Sequence, residues 1–267
     1  MPPTIVSIRN RKLKGMPWGE PGCGKTRWSC GAQDHPDMSP VLVIDSDDGL
    51  LSVAARGDIA AERVRTLDEY ETLLGRIAVG DPVYKEFKTL VTDSGSDLLD
   101  KALRETSAYE FERQSEGKGR AKRSSKDELH QKDYGKVTAQ MKRLFDQARN
   151  LPMHSIITSL AATHYPAVGK DQSGNDVIGP DPDSVHPAFT AKLGINVRGL
   201  MDFVWYFYRT TPKADSQEKV EFKYLTQERG PYKCKTRGDH FPDAIGVTSQ
   251  LSLPEVYDLL LRTEVKA

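Results

Sequence analysis

The chain has 267 residues, with 38 Lys+Arg balanced by 38 Asp+Glu. At ~100–200 residues per domain this is one large or two small domains, and zero net charge excludes a chain that coats nucleic acid by bulk electrostatics while leaving room for a local basic groove. No apolar run reaches the ~20 residues of a membrane helix, Met1–Ser7 lacks the features of a secretory leader, and Cys23, Cys30 and Cys234 are too few for a disulfide framework, so a reduced, cytoplasmic protein is expected.

Leu13–Trp18 reads as a short first strand, frayed at Pro17 or ending there, because proline cannot donate to a sheet ladder. Thr26–Gln33 is helical, and Val41–Ile44 is an apolar run ending at Asp45, the pattern of a buried parallel strand. Thr66 and Glu69 stand in capping-box spacing before Leu67, Tyr70, Leu73, Leu74 and Ile77, which share one helical face. Phe87–Thr92 is the next strand, ending at Asp93; helices Ser96–Tyr109 and Tyr134–Arg149 and strand His154–Thr158 follow. Strands alternating with helices in this way imply a parallel sheet covered on both faces. Two segments interrupt the rhythm, the polar stretch 112–131 and the proline- and glycine-rich stretch 164–186, and both are expected as long loops. Phe203–Tyr208, Lys219–Thr226 and Tyr232–Thr236 then read as partly antiparallel strands. A short helix closes the chain, with Ser252, Glu255 and Pro254 at its start.

Gly19-Glu20-Pro21-Gly22-Cys23-Gly24-Lys25-Thr26 fits G-x-x-x-x-G-K-[ST] throughout. Glycines let backbone N–H groups curl around a phosphate, Lys25 supplies a charge for the β- and γ-phosphates, and the Thr26 hydroxyl is a Mg²⁺ ligand. Arg27 adjoins this cradle. The second part of such a site is an acid at the end of an apolar strand. Asp93 takes that part as the metal-side acid, with Asp45 as its rival, which leaves Asp45-Ser46-Asp47-Asp48 free to position or deprotonate water.

In order and content, the phosphate loop, Val-Leu-Val-Ile-Asp-Ser-Asp-Asp-Gly-Leu and Thr-Leu-Val-Thr-Asp-Ser resemble phage nucleotide-binding proteins of the RecA-like class. The resemblance is nearest to short phage recombinases of the Sak type, which are single-strand annealing proteins. It spans about residues 12–245 and is specific over the first hundred. It implies an α/β, RecA-like P-loop NTPase core: one domain over 1–267, a mostly parallel sheet with helices on both faces, and C-terminal antiparallel strands and a helix over 200–267. It also implies ATP with Mg²⁺, with Lys25, Asp47, Asp93 and Ser159 as the catalytic set. Asp47 stands where the family has a water-activating Glu, one methylene shorter, with Asp48 as a substitute. Thr158 and Ser159 stand at the polar sensor position. His164 comes too late to match the family's histidine and reads as an ordinary loop residue.

Six basic residues and one acid give 113–126 a local charge of +5. Neutralising about five phosphates of a single strand would give a log K versus log salt slope near −3.5. The resemblance makes Lys118, Arg120, Lys122, Arg123 and Lys126 candidate contacts in a DNA-binding segment 112–131. A second segment, 164–198, offers Tyr165, Phe189, Lys192 and Arg198. Lys233, Lys235 and Arg237 alternate onto one strand face, and the resemblance implies that Lys235 and Arg237 enter a neighbouring subunit's ATP site. The resulting expectation is a DNA-stimulated ATPase that forms a homo-oligomeric ring or filament. It would bind single-stranded DNA for annealing or exchange, with a single-strand DNA-binding protein as a further partner and without a membrane. The alternatives are a helicase or replication-protein loader and an ATP-switched DNA-binding module with negligible turnover.

Overall fold

The computed structural model describes residues 11–115, 123–170, 176–210, 220–237 and 246–262. In chain order these form β1 (Lys14–Gly19), α1 (Lys25–Cys30, extended by a 3-10 turn, Gly31–Asp34), β2 (Val41–Asp45), a 3-10 turn (Leu50–Val53), β3 (Ala60–Arg63), α2 (Leu67–Ala78), β4 (Thr89–Asp93), α3 (Gly95–Ser115) and α4 (Gln131–Asn150). Then come β5 (His154–Ile157), β6 (Ser159–His164), β7 (Ala167–Lys170), β8 (Asp176–Ile178), β9 (Ser184–Pro187), α5 (Ala191–Leu200), β10 (Phe203–Thr210), β11 (Glu221–Leu225), β12 (Lys235–Thr236), β13 (Thr248–Ser249) and α6 (Leu253–Arg262).

The main sheet runs β13-β11-β10-β1-β5-β4-β2-β3. Its body, from β10 to β3, is parallel, and β11, β12 and β13 add antiparallel strands at one side. Alternation along the strands divides the core between two faces. Met16, Trp18, Leu42, Ile44, Leu90, Ile157, Val204 and Tyr206 pack with α2, α3, α4 and α5. Val41, Val43, Val91, Ile156, Phe203, Trp205 and Phe207 pack with α1 and α6. This is the α/β architecture read from the sequence, with helices on both faces.

Local signals act where they were read. The Glu69 amide donates to Thr66 Oγ1 at 3.1 Å, and Leu67, Tyr70, Leu73, Leu74 and Ile77 are the buried face of α2. The Ser252 amide donates to Glu255 Oε2 at 2.7 Å, closing the capping box that starts α6.

Three expectations are corrected. First, β1 neither frays nor ends at Pro17. Leu13 O accepts from the Ser155 amide and Lys14 O from the Asp202 amide, so odd-numbered residues of β1 face the β5 side. There β1 pairs with β5 only at Lys14–Gly15 and with β6 only at Trp18–Gly19. Pro17 lies between these two pairings, where the ladder passes from β5 to β6 and an N–H is not shared with either. Second, 164–186 is not one long loop. It holds the β7–β8 ribbon and β9, which pairs antiparallel with β6. Third, α3 continues to Ser115, shortening the polar segment before α4.

Candidate functional site

The carboxyl ends of β1, β4 and β2 lie along one edge of the sheet, with β5 between β1 and β4, and Asp45 is in register with Asp93. In open α/β sheets this edge is where ligands bind. The loop after β1 depends on glycine: Gly22 (φ 72°) and Gly24 (φ 87°) occupy the left-handed region that L side chains avoid. Lys25 is buried, and its Nζ donates to the carbonyls of Gly19 at 3.0 Å and Glu20 at 2.9 Å. Cys23 lies beneath the loop, its Sγ 3.6 Å from Lys25 Nζ. Burial pushes its thiol pKa up and the Lys25 charge opposes that shift, which keeps the thiol protonated and unreactive. Glu20, Pro21 and Arg27 are exposed around the loop.

Thr26 Oγ1 donates to Asp93 Oδ2 at 2.7 Å. The other carboxylate oxygen, Oδ1, accepts from Thr158 Oγ1. The polar residue after β5 that reaches Asp93 is therefore Thr158. Of the two residues expected at the sensor position, Ser159 instead turns its Oγ to the Leu160 carbonyl at 3.0 Å. Consecutive residues of an extended chain point to opposite sides, so only one of the pair could reach Asp93. The oxygen donors Thr26 and Asp93 fit Mg²⁺, which takes one or two protein ligands and completes its octahedron with phosphate and water. Among the described residues no cluster of three or more His, Cys, Asp or Glu could hold a metal alone.

The acids after β2 divide their tasks. Asp45 is buried and its Oδ1 accepts from the Gly49 amide at 3.2 Å, closing the turn. Asp48 takes φ 62° and pairs with Arg63 at 3.1 Å, which removes it as a substitute base. Asp47, two residues beyond the end of β2, is exposed. Reduced solvation of its carboxyl, then the charges of Asp93, Asp45 and Asp97, raise its pKa above the usual range. That suits a group that must take a proton near neutral pH. Sequence reading missed the residues that hold this acidic corner together. Ser46 Oγ accepts from the Ser94 amide at 2.9 Å, and Lys101 Nζ bridges the Ser46 carbonyl and Asp97. Lys101 and Asp97 are an i, i+4 pair on α3, and that spacing is their only sequence signal.

A cleft of about 880 Å³ opens beside Gly24, between α1, β11 and the start of α6, lined in part by Arg27, Trp28, Arg56, Phe207, Phe222 and Tyr224. Its floor is aromatic: Trp28 meets Phe207 and Tyr224 edge-on at 5.1 and 5.7 Å between ring centres.

The cations expected to meet DNA are distributed unevenly. Lys118, Arg120 and Lys122 lie outside the described residues. Arg123 is fully buried; its Nη2 donates to both oxygens of the equally buried Asp133, at 2.7 and 2.8 Å, and its Nη1 to Ser107 Oγ at 3.0 Å. It pins the segment to α3 and α4 and presents no charge to a ligand. Lys126 and Lys192 are exposed. Arg198 faces Glu228 at 3.5 Å, Phe189 is buried in the core, and Tyr165 stands 44% exposed. His164 pairs with Asp183 at 2.7 Å, far from the phosphate loop in role and partner.

Lys235 and Arg237 bind within their own chain. Lys235 Nζ donates to the carbonyls of Arg198 and Met201, and Arg237 Nη2 donates to the Gly199 carbonyl at 2.7 Å. Cations on the last carbonyls of α5 satisfy groups that the helix leaves unpaired. β12 pairs with Phe203 and Val204, the amino end of β10, whereas the phosphate loop is at the opposite edge of the sheet.

No curated protein matches the sequence at a significant level. A similar solved structure is that of a KaiC-like protein from the hyperthermophilic archaeon Pyrococcus horikoshii OT3, 13% identical with a TM-score of 0.38 over 83% of each chain. The AAA domain family matches residues 11–266, with the Gly19–Thr26 loop, Asp47 and Asp93 all inside the match. With nearly its whole length in that match, the chain belongs to the AAA domain family of P-loop ATPases.

Proposed function

We propose that this chain hydrolyses ATP in support of single-stranded DNA annealing or strand exchange, as part of a homo-oligomeric ring or filament. The observation that carries the ATPase reading is the 2.7 Å contact from Thr26 to Asp93, with Asp47 at the adjoining strand end. It brings the phosphate loop, the metal-side acid and a base to one edge of the sheet. Gly22, Gly24 and Lys25 receive the triphosphate, and the aromatic cleft beside Gly24 takes the base. Asp47 orients a water and accepts its proton. The water oxygen bonds to the γ-phosphorus as the bond to the ADP oxygen breaks, giving ADP and inorganic phosphate. Mg²⁺ held by Thr26 and Asp93 would neutralise charge on the phosphates.

The DNA role rests on the resemblance to Sak-type proteins, on the basic residues Lys118, Arg120, Lys122 and Lys126, and on exposed Tyr165 and Lys192. Lys235 and Arg237 serve a neighbour only if assembly releases them from α5. The deciding experiment is ATP turnover with and without single-stranded DNA, beside a Lys25→Ala control. Stimulation by DNA supports the proposal. Turnover indifferent to DNA but raised by a replication protein would replace it with a loader. Nucleotide binding with no turnover above the control would replace it with an ATP switch.

A further inference from the structure

β10 is an aromatic strand whose alternation has a continuation that the aromatic pattern conceals. Phe203, Trp205 and Phe207 point to the α1 face, and Trp28 of α1 packs against all three. The next position in that row is Arg209. Directly opposite it on β11 is Phe222, and opposite Phe207 is Tyr224. Residues directly opposed in an antiparallel pair share a face. Arg209 and Phe222 are therefore the last cross-strand pair of the face on which the phosphate loop and α1 lie.

Their reach is visible at the loop's own glycines. A methyl group on Gly22 would lie 3.9 Å from Arg209 Nη1, and one on Gly24 would lie 3.3 Å from the Phe222 ring. Nearer the start of the loop, a methyl on Gly19 would strike the Phe207 carbonyl at 2.1 Å. The end of β10 thus runs against the loop along its length. Arg209 is exposed, and no carboxylate among the described residues lies within ion-pair distance of it. An exposed guanidinium with no carboxylate partner among the described residues, beside Gly22 of the phosphate loop, has its charge available for an anion there.

We propose that Arg209 contacts the polyphosphate of a nucleotide bound at the Gly19–Thr26 loop of its own chain, a second cation beside Lys25. The proposal rests on the ATPase reading above and adds a residue that the loop motif does not contain. The planar fork of arginine suits phosphate oxygens. A donor held at the site by a strand is preorganised for charge that develops on the γ-phosphate as the bond to ADP breaks. It also separates the two cationic ends of this part of the fold. Lys235 and Arg237 sit at the amino end of β10, and Arg209 sits at the carboxyl end, next to the site.

The test compares wild type, Arg209→Ala and Arg209→Lys in steady-state ATP turnover, in binding of a fluorescent ATP analogue, and in thermal unfolding. Arg209→Ala is expected to lower kcat by roughly 10²-fold with Tm unchanged, and Arg209→Lys to recover part of the loss through its charge alone. Mixing Arg209→Ala with Lys25→Ala subunits should restore nothing, because each active site then lacks a cation of its own. Wild-type kinetics in Arg209→Ala would overturn the proposal, and so would recovery on mixing, which would place the contact between subunits. A wild-type protein that binds no ATP analogue fails differently: it removes the ATPase reading itself, and Arg209 with it.

Discussion

Thr26 Oγ1 and Asp93 Oδ2 meet at 2.7 Å although 67 positions separate them in the chain. One is the last residue of the phosphate loop and the other the last residue of β4. Thr158 binds the second oxygen of the same carboxylate, so Asp93 is fixed in orientation from both sides. Asp93→Asn is expected to lower kcat by about 10²-fold, the scale of a lost preorganised electrostatic contact, and to raise the Mg²⁺ concentration needed for half-maximal turnover. Initial rates across a Mg²⁺ titration check both. Thr158→Val should show the same change in smaller measure, whereas Ser159→Ala should leave the titration unmoved.

Asp47 gives a signed pH prediction. Reduced solvation and the neighbouring carboxylates raise its pKa, and a base works only when deprotonated. The acid limb of the kcat profile should therefore fall at a higher pH than an ordinary aspartate would give. A raised carboxylate contributes stability that is present at low pH and lost as pH rises through the folded value. Asp47→Asn is thus expected to abolish turnover while slightly raising Tm at neutral pH. A lowered Tm would contradict the proposed electrostatic crowding. Asp47→Glu restores the family's longer side chain and should raise kcat.

The buried pair Arg123–Asp133 separates folding from DNA binding. Burial alone would raise the Asp133 carboxyl, but the His130 amide and the Arg123 guanidinium outweigh it and hold it below the usual range. Its contribution is present above the unfolded value and lost as pH falls through the folded one, so the pair should weaken only below about pH 4. Arg123→Ala strands a buried carboxylate and is expected to cost about 3–5 kcal/mol in urea unfolding. Replacing both partners by apolar residues, Arg123→Met with Asp133→Leu, should cost far less.

With Arg123 withdrawn into the core, about four phosphates remain for Lys118, Arg120, Lys122 and Lys126, and the salt slope for single-stranded DNA should be near −3. Neutralising those four lysines and arginines together should flatten it by several units. A slope unchanged by that substitution would remove this segment from the DNA site.

The α/β core was legible because its signals are local and redundant. Val41–Ile44 is a continuous apolar run, Phe87–Thr92 is rich in β-branched and aromatic residues before Asp93, and α2 carries its cap and its buried face together. Thr158 and Ser159 could not be told apart because a run ending in two hydroxyl residues does not say which one points at Asp93; that depends on where β5 leaves the sheet. Arg123 was misread because its neighbours in sequence are basic and polar, while its partner, Asp133, lies on the next helix. The strands within 164–186 were hidden because β7 is exposed along its length and therefore lacks the apolar alternation of a half-buried strand. Arg209 was hidden by its companions, since a strand rich in aromatic residues reads as core to its last position.

Pro17 has a consequence for how the chain can change. The register of β1 is the same on either side of it, Gly15 opposite Ile156 and Trp18 opposite Ser159, so any other residue there would turn an amide hydrogen toward the strand that runs from β5 into β6. A sheet strand usually gains from losing a proline, and Pro17→Ala is expected to leave stability in urea unfolding unchanged or raised. The proline acts as a fork in the fabric of the sheet. Below it, β1 is stitched to β5; above it, to β6, which departs carrying the ribbon and α5. The segment beyond Leu160, where β6 pairs with β9 instead, can thus be lengthened, reshaped or re-aimed without unpicking the seam that holds Lys25 and Asp93 in place.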